Sequence, residues 1–178
     1  MKISIFTTFY IALFFNANAQ NNKLKIQNIN FGFGGFSIKN NYSEGGGAML
    51  IGDITTSYNN NLIDLSFISG AEIGIIGQSN YSFIELSLLY GREFKLKKWF
   101  AFETFAGIGY YNQTSDIIYI SNGSTFSMPL KINSKFYLNK NFGLGLNTNY
   151  INNEINDNFS VNLIFHYNFN ATKNLLHN

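Results

Sequence analysis

Phe159-Ser160-Val161-Asn162-Leu163-Ile164-Phe165-His166-Tyr167-Asn168-Phe169 carries a large apolar side chain at every odd position and, Ile164 apart, a polar one at every even position. Successive side chains of a β-strand point to opposite faces, so this stretch predicts a strand with one apolar and one polar face. The same period recurs upstream. Ile29, Phe31 and Phe33 alternate with Asn28, Asn30, Gly32 and Gly34, and Ile63, Leu65 and Phe67 alternate with Asp64 and Ser66. Ile84, Leu86, Leu88 and Tyr90 alternate with Glu85, Ser87 and Gly91, with Leu89 interrupting the polar face. Further segments are Phe100 to Tyr110, Met128 to Phe136, and Phe142 to Leu146; residues 48–58, with Leu50, Ile54 and Tyr58 against Asp53, Thr55 and Ser57, alternate least clearly. Eight such segments are expected.

Their connections fall into two kinds. Those after even-numbered segments are Asn59-Asn60-Asn61, residues 93–98, and Asn139-Lys140-Asn141. Those after odd-numbered segments run over 39–47, 75–80, 112–125 and 152–158. One end of the molecule should therefore carry mostly tight turns and the other longer polar loops, the asymmetry of outer-membrane barrels. The expected fold is all-β: an eight-stranded antiparallel up-and-down transmembrane β-barrel.

Composition agrees with that architecture. Of 178 residues, 46% are hydrophobic and 17% aromatic, but only 12% are charged, against about 25% in an ordinary soluble domain. Such a chain is too aromatic and too weakly charged to be disordered. Without cysteine it has no disulfide scaffold and no thiolate zinc site. A formal net charge of +2 gives no reason to expect nucleic acid. Mean hydropathy is −0.03, which is what two opposed faces cancelling along each strand produce.

Residues 1–19 are read as a cleaved signal peptide. Lys2 forms the n-region, Ile3 to Phe15 the apolar run, and Ala17-Asn18-Ala19 the cleavage site. The run is shorter than the roughly 18 apolar residues a transmembrane helix needs. Residues 20–178 then form a single barrel domain ending in a short tail, 170–178.

The distribution of charge decides which face meets lipid. A soluble barrel would put its charges outward, and here that surface would be rich in Gly and Asn with few charges to solvate it. The inverted arrangement places apolar side chains outward and small or charged ones inside. An interior of eight strands is only wide enough for side chains, which suits Gly107, Gly109, Gly143 and Gly145. The expected polar network of the lumen is Asp53, Asp64, Glu72, Glu85, Arg92, Glu103, Lys131, Lys135 and His166. Folding the strands about their turns sets Glu85 towards Lys131, Lys135 near Glu103, and Asp64 beside Arg92. Buried charges must pair or cost several kcal/mol each, so the lumen is expected to be plugged. Aromatic girdles are expected from Tyr58, Tyr90, Trp99, Phe100, Phe142, Tyr167 and Phe169 at the turn end, and from Phe36, Tyr81, Tyr110, Tyr150 and Phe159 at the loop end.

The last strand, Leu163-x-Phe165-x-Tyr167-x-Phe169, resembles the carboxy-terminal signal read by the outer-membrane barrel assembly machinery. Ala106-Gly107-Ile108-Gly109-Tyr110, followed by a long loop and Met128-Pro129-Leu130, resembles the small outer-membrane β-barrel domain proteins of Bacteroidota, in the style of OmpA/OmpX barrels. The resemblance covers essentially all of 20–178 and implies an outer-membrane location, with membrane lipid and the assembly machinery as partners. It departs at 170–178, because the signal usually ends the chain.

Chemistry is sparsely represented. His166 falls on an inward position and is followed two residues on by Asn168, so the His-x-Ser of a lipid A deacylase is absent. A set using Ser160 or Ser134 would have to reach lipid through the barrel wall. Gly32-Phe33-Gly34-Gly35 and Gly45-Gly46-Gly47 do not open a helix after a strand and form no phosphate cradle. Glu44, Asp116, Glu154 and Asp157 are scattered over different loops and suggest no calcium site. No cofactor and no enzyme activity are expected. Arg92, Lys95, Lys97 and Lys98 lie at the turn end, as a solvated edge or against anionic headgroups. The function expected is structural, or surface binding and adhesion, with an extracellular partner at loop 112–125. Ile117 to Ile120 would offer that partner a strand edge. A narrow porin-like channel, a lipid-modifying enzyme and a secreted soluble barrel are the alternatives.

Overall fold

The computed structural model describes residues 24–39, 44–58, 61–72, 81–116 and 122–169; the leader 1–19 and the tail 170–178 lie outside the described residues. Eight strands follow one another: β1 (Lys25–Lys39), β2 (Glu44–Tyr58), β3 (Asn61–Glu72), β4 (Tyr81–Lys97), β5 (Phe100–Ser115), β6 (Gly123–Tyr137), β7 (Phe142–Asn153) and β8 (Asp157–Asn168). Each pairs antiparallel with the next, and β8 pairs with β1 to close the barrel, leaving no free edge. The expected fold class is the one observed.

The register measures the shape. Lys25, Ser57, Leu62, Gly91, Phe105, Lys131, Asn149, Ser160 and Phe36 are successive partners once round the barrel. The path returns to β1 eleven residues further on, and one of those is Gln27, inserted at the bulge between Ile26 and Asn28. A stagger of ten over eight strands gives a strand tilt of about 40° and a backbone radius of about 8 Å at ordinary strand spacings. So narrow a cylinder holds side chains and little else.

The two faces are inverted relative to a soluble barrel. Outward positions along the middle of the wall are mostly apolar and exposed, including Phe31 at 56%, Leu88 at 54%, Ile108 at 66% and Leu130 at 51%, and polar ones such as Asn112 and Arg92 lie towards its ends. Inward positions on the same strands bury Asp53, Asp64, Glu85, Glu103, Lys131 and Lys135.

Two corrections concern the strands' ends. The connection expected over 93–98 is a tight turn at Lys98-Trp99, because β4 continues to Lys97 and β5 starts at Phe100. At the other end β5 runs to Ser115 and β6 begins at Gly123, so half of the supposed loop 112–125 is strand, with Asn112 against Ser124. Only 116–122 lies between the two strands, and the longer connection is 73–80. Ile117 to Ile120 lie outside the described residues.

Candidate functional site: the barrel interior

The barrel's middle and turn-end portions hold a buried ion network. Lys131 of β6 reaches across the lumen to β2 and β3, with its Nζ donating to Asp53 Oδ2 at 2.9 Å and Asp64 Oδ2 at 2.5 Å. All three side chains are at most 1% exposed. Asn30 Nδ2 also donates to Asp53 Oδ1, and Thr55 Oγ1 to Asp64 Oδ1 at 2.8 Å. The ammonium lies 5.1 Å from the centre of the Phe105 ring, a cation–π contact.

A second group lies nearer the turns. Lys135 Nζ is 2.7 and 2.8 Å from the two Glu103 oxygens, and Asn133 Nδ2 donates to Glu103 Oε2 at 3.1 Å. From Asn133 the hydrogen bonds continue through Asn147, which donates to it at 2.7 Å, to Asn149 and Asn162, both donating to Asn147 Oδ1. Four strands are thus tied across the interior by side chains alone.

Placement differs from expectation at several residues. Glu85 does not meet Lys131; its Oε1 accepts from Ser127 Oγ at 2.5 Å, while its Oε2 is buried without a partner among the described residues. The cause is register: with the turn at Lys98-Trp99, Glu85 faces Tyr111, five residues past the Ala106 that a turn centred in 93–98 would give. Arg92 is not in the lumen. It pairs in register with Asn61, while Asp64 faces Leu89, and its side chain is exposed on the outer face of β4. Glu72 is half-buried at the loop end of β3, with Oε2 enclosed and unpaired among the described residues. Lys135 and Glu103 do meet, as above.

His166 is buried, its ring 4.9 Å from that of Tyr137 in an edge-on arrangement. It lies over Gly143, where a Cβ would fall 2.2 Å from the imidazole, so this position must be glycine for the ring to fit. Gly109 plays the same part beside Glu85, whose Oε1 would lie 2.6 Å from an added Cβ. Neither His166 nitrogen has a hydrogen-bond partner among the described residues. Ser134 lies on the outward parity of β6 and Ser160 is buried on β8.

The loop-end half of the interior is apolar, which the sequence reading missed. Phe36, Ile38, Met49, Ile51, Ile68, Tyr81, Phe83, Tyr111, Ile151 and Ile164 form one buried cluster. Phe83 stands edge-on to Phe36 at 5.0 Å and stacks on Tyr111 at 5.3 Å. Phe36 and Tyr81, expected in the outer girdle, are therefore inside. The Tyr81 and Tyr111 hydroxyls lie 2.5 Å apart, and Asn156 Nδ2 donates to Gln113 Oε1 and to Tyr81 Oη above the cluster. Of the other girdle residues, Tyr110, Tyr150 and Phe159 are exposed at the loop end, and Trp99, Phe142, Tyr167 and Phe169 at the turn end. The assembly-signal residues Leu163, Phe165, Tyr167 and Phe169 all lie on the exposed outer face.

No protein-family model matches the chain, and no curated protein matches it by sequence. Solved structures do. Ail, the attachment invasion locus protein of Yersinia pestis, superposes with a TM-score of 0.61 at 16% identity, covering 82% of this chain and 99% of its own. Neisserial surface protein A gives 0.68 at 8% identity, covering 83% and 99%. The N-terminal β-barrel domain of Pseudomonas aeruginosa OprF gives 0.54 at 16% identity, covering 83% and 100%. At such identities the likeness is one of fold: a closed, eight-stranded antiparallel barrel of the outer-membrane kind.

Proposed function

We propose that this chain is an outer-membrane β-barrel, exported through residues 1–19, whose lumen is closed and which acts through its loop end. The membrane reading is supported by the wall itself, because exposed Phe, Leu and Ile around a buried ionic interior suit lipid and not water. Closure of the barrel satisfies every strand's backbone in hydrocarbon.

The observation that carries the closed lumen is the stacking of an apolar, aromatic layer on a buried ion network. A hydrated ion would have to displace Phe83 and Tyr111 and then break the Lys131 pairs. In planar bilayers the protein should give no single-channel steps. Regular steps from the folded, purified barrel would replace this reading with the narrow channel.

The role that remains is structural, or adhesion at the surface, in the manner of the Bacteroidota-type small barrels that the sequence resembles. The paired continuation of β5 and β6 supports a contact there, with Asn112 Nδ2 donating to Ser124 Oγ at 2.6 Å on its outer face. One barrel sharing the fold bears the name attachment invasion locus protein. Deleting 115–124 should leave a folded barrel and abolish adhesion; loss of the barrel, or adhesion unchanged, would refute the assignment. A non-enzymatic role is consistent with His166, which is enclosed and not hydrogen-bonded to a serine or an acid. Insertion would use the β8 signal and the barrel assembly machinery.

A further inference from the structure

Arg92 is an exposed cation on the outer wall. On the outer face of β4 its neighbours two residues away are Tyr90 on one side and Phe94, 48% exposed, on the other, with Leu96 beyond at 64%. Across the strands it faces Asn61 and Thr104, which are polar, and Tyr90 Oη donates to Asn61 Oδ1 at 2.7 Å. No acidic side chain pairs with it among the described residues, whereas the lumen's lysines are both neutralised. Lys95, Lys97 and Lys98 follow on the same hairpin, all exposed, with Lys95 held by Glu93 at 3.3 Å and Lys97 lying 5.3 Å from the Trp99 ring centre. Trp99, Phe100 and Phe136 form an aromatic cluster at the same end, with ring centres 4.9 to 6.1 Å apart.

A guanidinium without a carboxylate partner, at the level of an aromatic girdle, sits where lipid phosphates lie. Its planar fork matches a phosphate, and the Asn61 and Thr104 side chains provide polar neighbours for headgroup oxygens. Lys97 and Lys98 beyond it add the charge that distinguishes an anionic headgroup from a zwitterionic one. We infer that the outer face of the β4–β5 hairpin at the turn end is a binding site for anionic phospholipid, with Arg92 holding the phosphate and Lys97 and Lys98 selecting the anionic headgroup. The site presupposes the membrane-spanning reading proposed above.

The chain has one tryptophan, and it lies within this patch. Trp99 fluorescence is therefore a local reporter. The folded protein is reconstituted in phosphatidylcholine vesicles containing equal mole fractions of brominated phosphatidylglycerol or brominated phosphatidylcholine. Brominated phosphatidylglycerol should quench more strongly, corresponding to about five-fold enrichment beside Trp99, roughly what one Lys or Arg near an anionic surface supplies. Lys97→Gln with Lys98→Gln should lose most of that excess, and Arg92→Gln the remainder. Arg92 makes no hydrogen bond or ion pair among the described residues and is exposed, so its variant should fold, as heat-modifiable gel migration checks. Equal quenching by the two lipids, or an excess unchanged in Arg92→Gln or in Lys97→Gln with Lys98→Gln, would overturn the site while leaving the barrel in the membrane. Quenching by neither lipid would overturn the site and the membrane reading together.

Discussion

Lys131 shows what a single residue does in this interior. Its ammonium is shared by Asp53 and Asp64, which also take hydrogen bonds from Asn30 and Thr55, so each group's lost hydration is replaced by specific partners. Removing the cation alone leaves two buried carboxylates facing one another. Lys131→Met should therefore destabilise the barrel by about 3–5 kcal/mol, the usual cost of stripping one partner from a buried pair. Urea unfolding in lipid vesicles, followed by gel mobility, measures it. The triple variant Asp53→Asn, Asp64→Asn, Lys131→Met removes charge and countercharge together and should recover most of that loss. If Lys131→Met were as stable as the parent, the pairs would contribute nothing to the fold.

Strands carry a different determinant, namely depth along the lipid-facing side. On β8, Leu163 lies near mid-strand and Phe169 just past its turn end, both facing outward. Leu163→Arg should cost about 2–4 kcal/mol, and Phe169→Arg only about 0–1 kcal/mol, since a charge near the interface reaches water. Equal costs at the two positions would contradict the placement of β8 across a bilayer. The same scale explains what could be read in advance. Asn59-Asn60 and Asn139-Lys140-Asn141 are turn-forming stretches, and their hairpins were legible. Lys97-Lys98-Trp99 carries no Gly, Asn or Pro to mark a turn, so the β4–β5 register is not legible in the sequence, nor are the places of Glu85 and Arg92 that depend on it. Asn112 to Ser115 are polar on both faces, and alternation disappears there although pairing with β4 continues. At the loop end Met49-Leu50-Ile51 and Phe83-Ile84 are apolar on both faces, which hides an apolar layer inside the wall. Alternation reports a strand only where its two faces meet different surroundings.

The whole molecule is a narrow cylinder whose covering and filling have exchanged their usual places. Stagger sets the radius, radius limits the filling to side chains, and the filling is layered: tyrosine hydroxyls and Asn156 at the loop end, then an aromatic layer, then the paired ions. On the closed-lumen proposal, the loops and the outer wall are where the protein meets anything else. The absence of native cysteine allows one spin label at a time to be placed at each position from Asn158 to Tyr167. Collision rates with oxygen, which concentrates in lipid, and with a water-soluble nickel complex then report what each side chain meets. In bilayers, odd positions 159–167 should collide strongly with oxygen and even positions with neither, repeating every two residues. Nickel collisions at Val161, Leu163 and Phe165, or no alternation at all, would contradict a barrel that spans the membrane with this face to lipid.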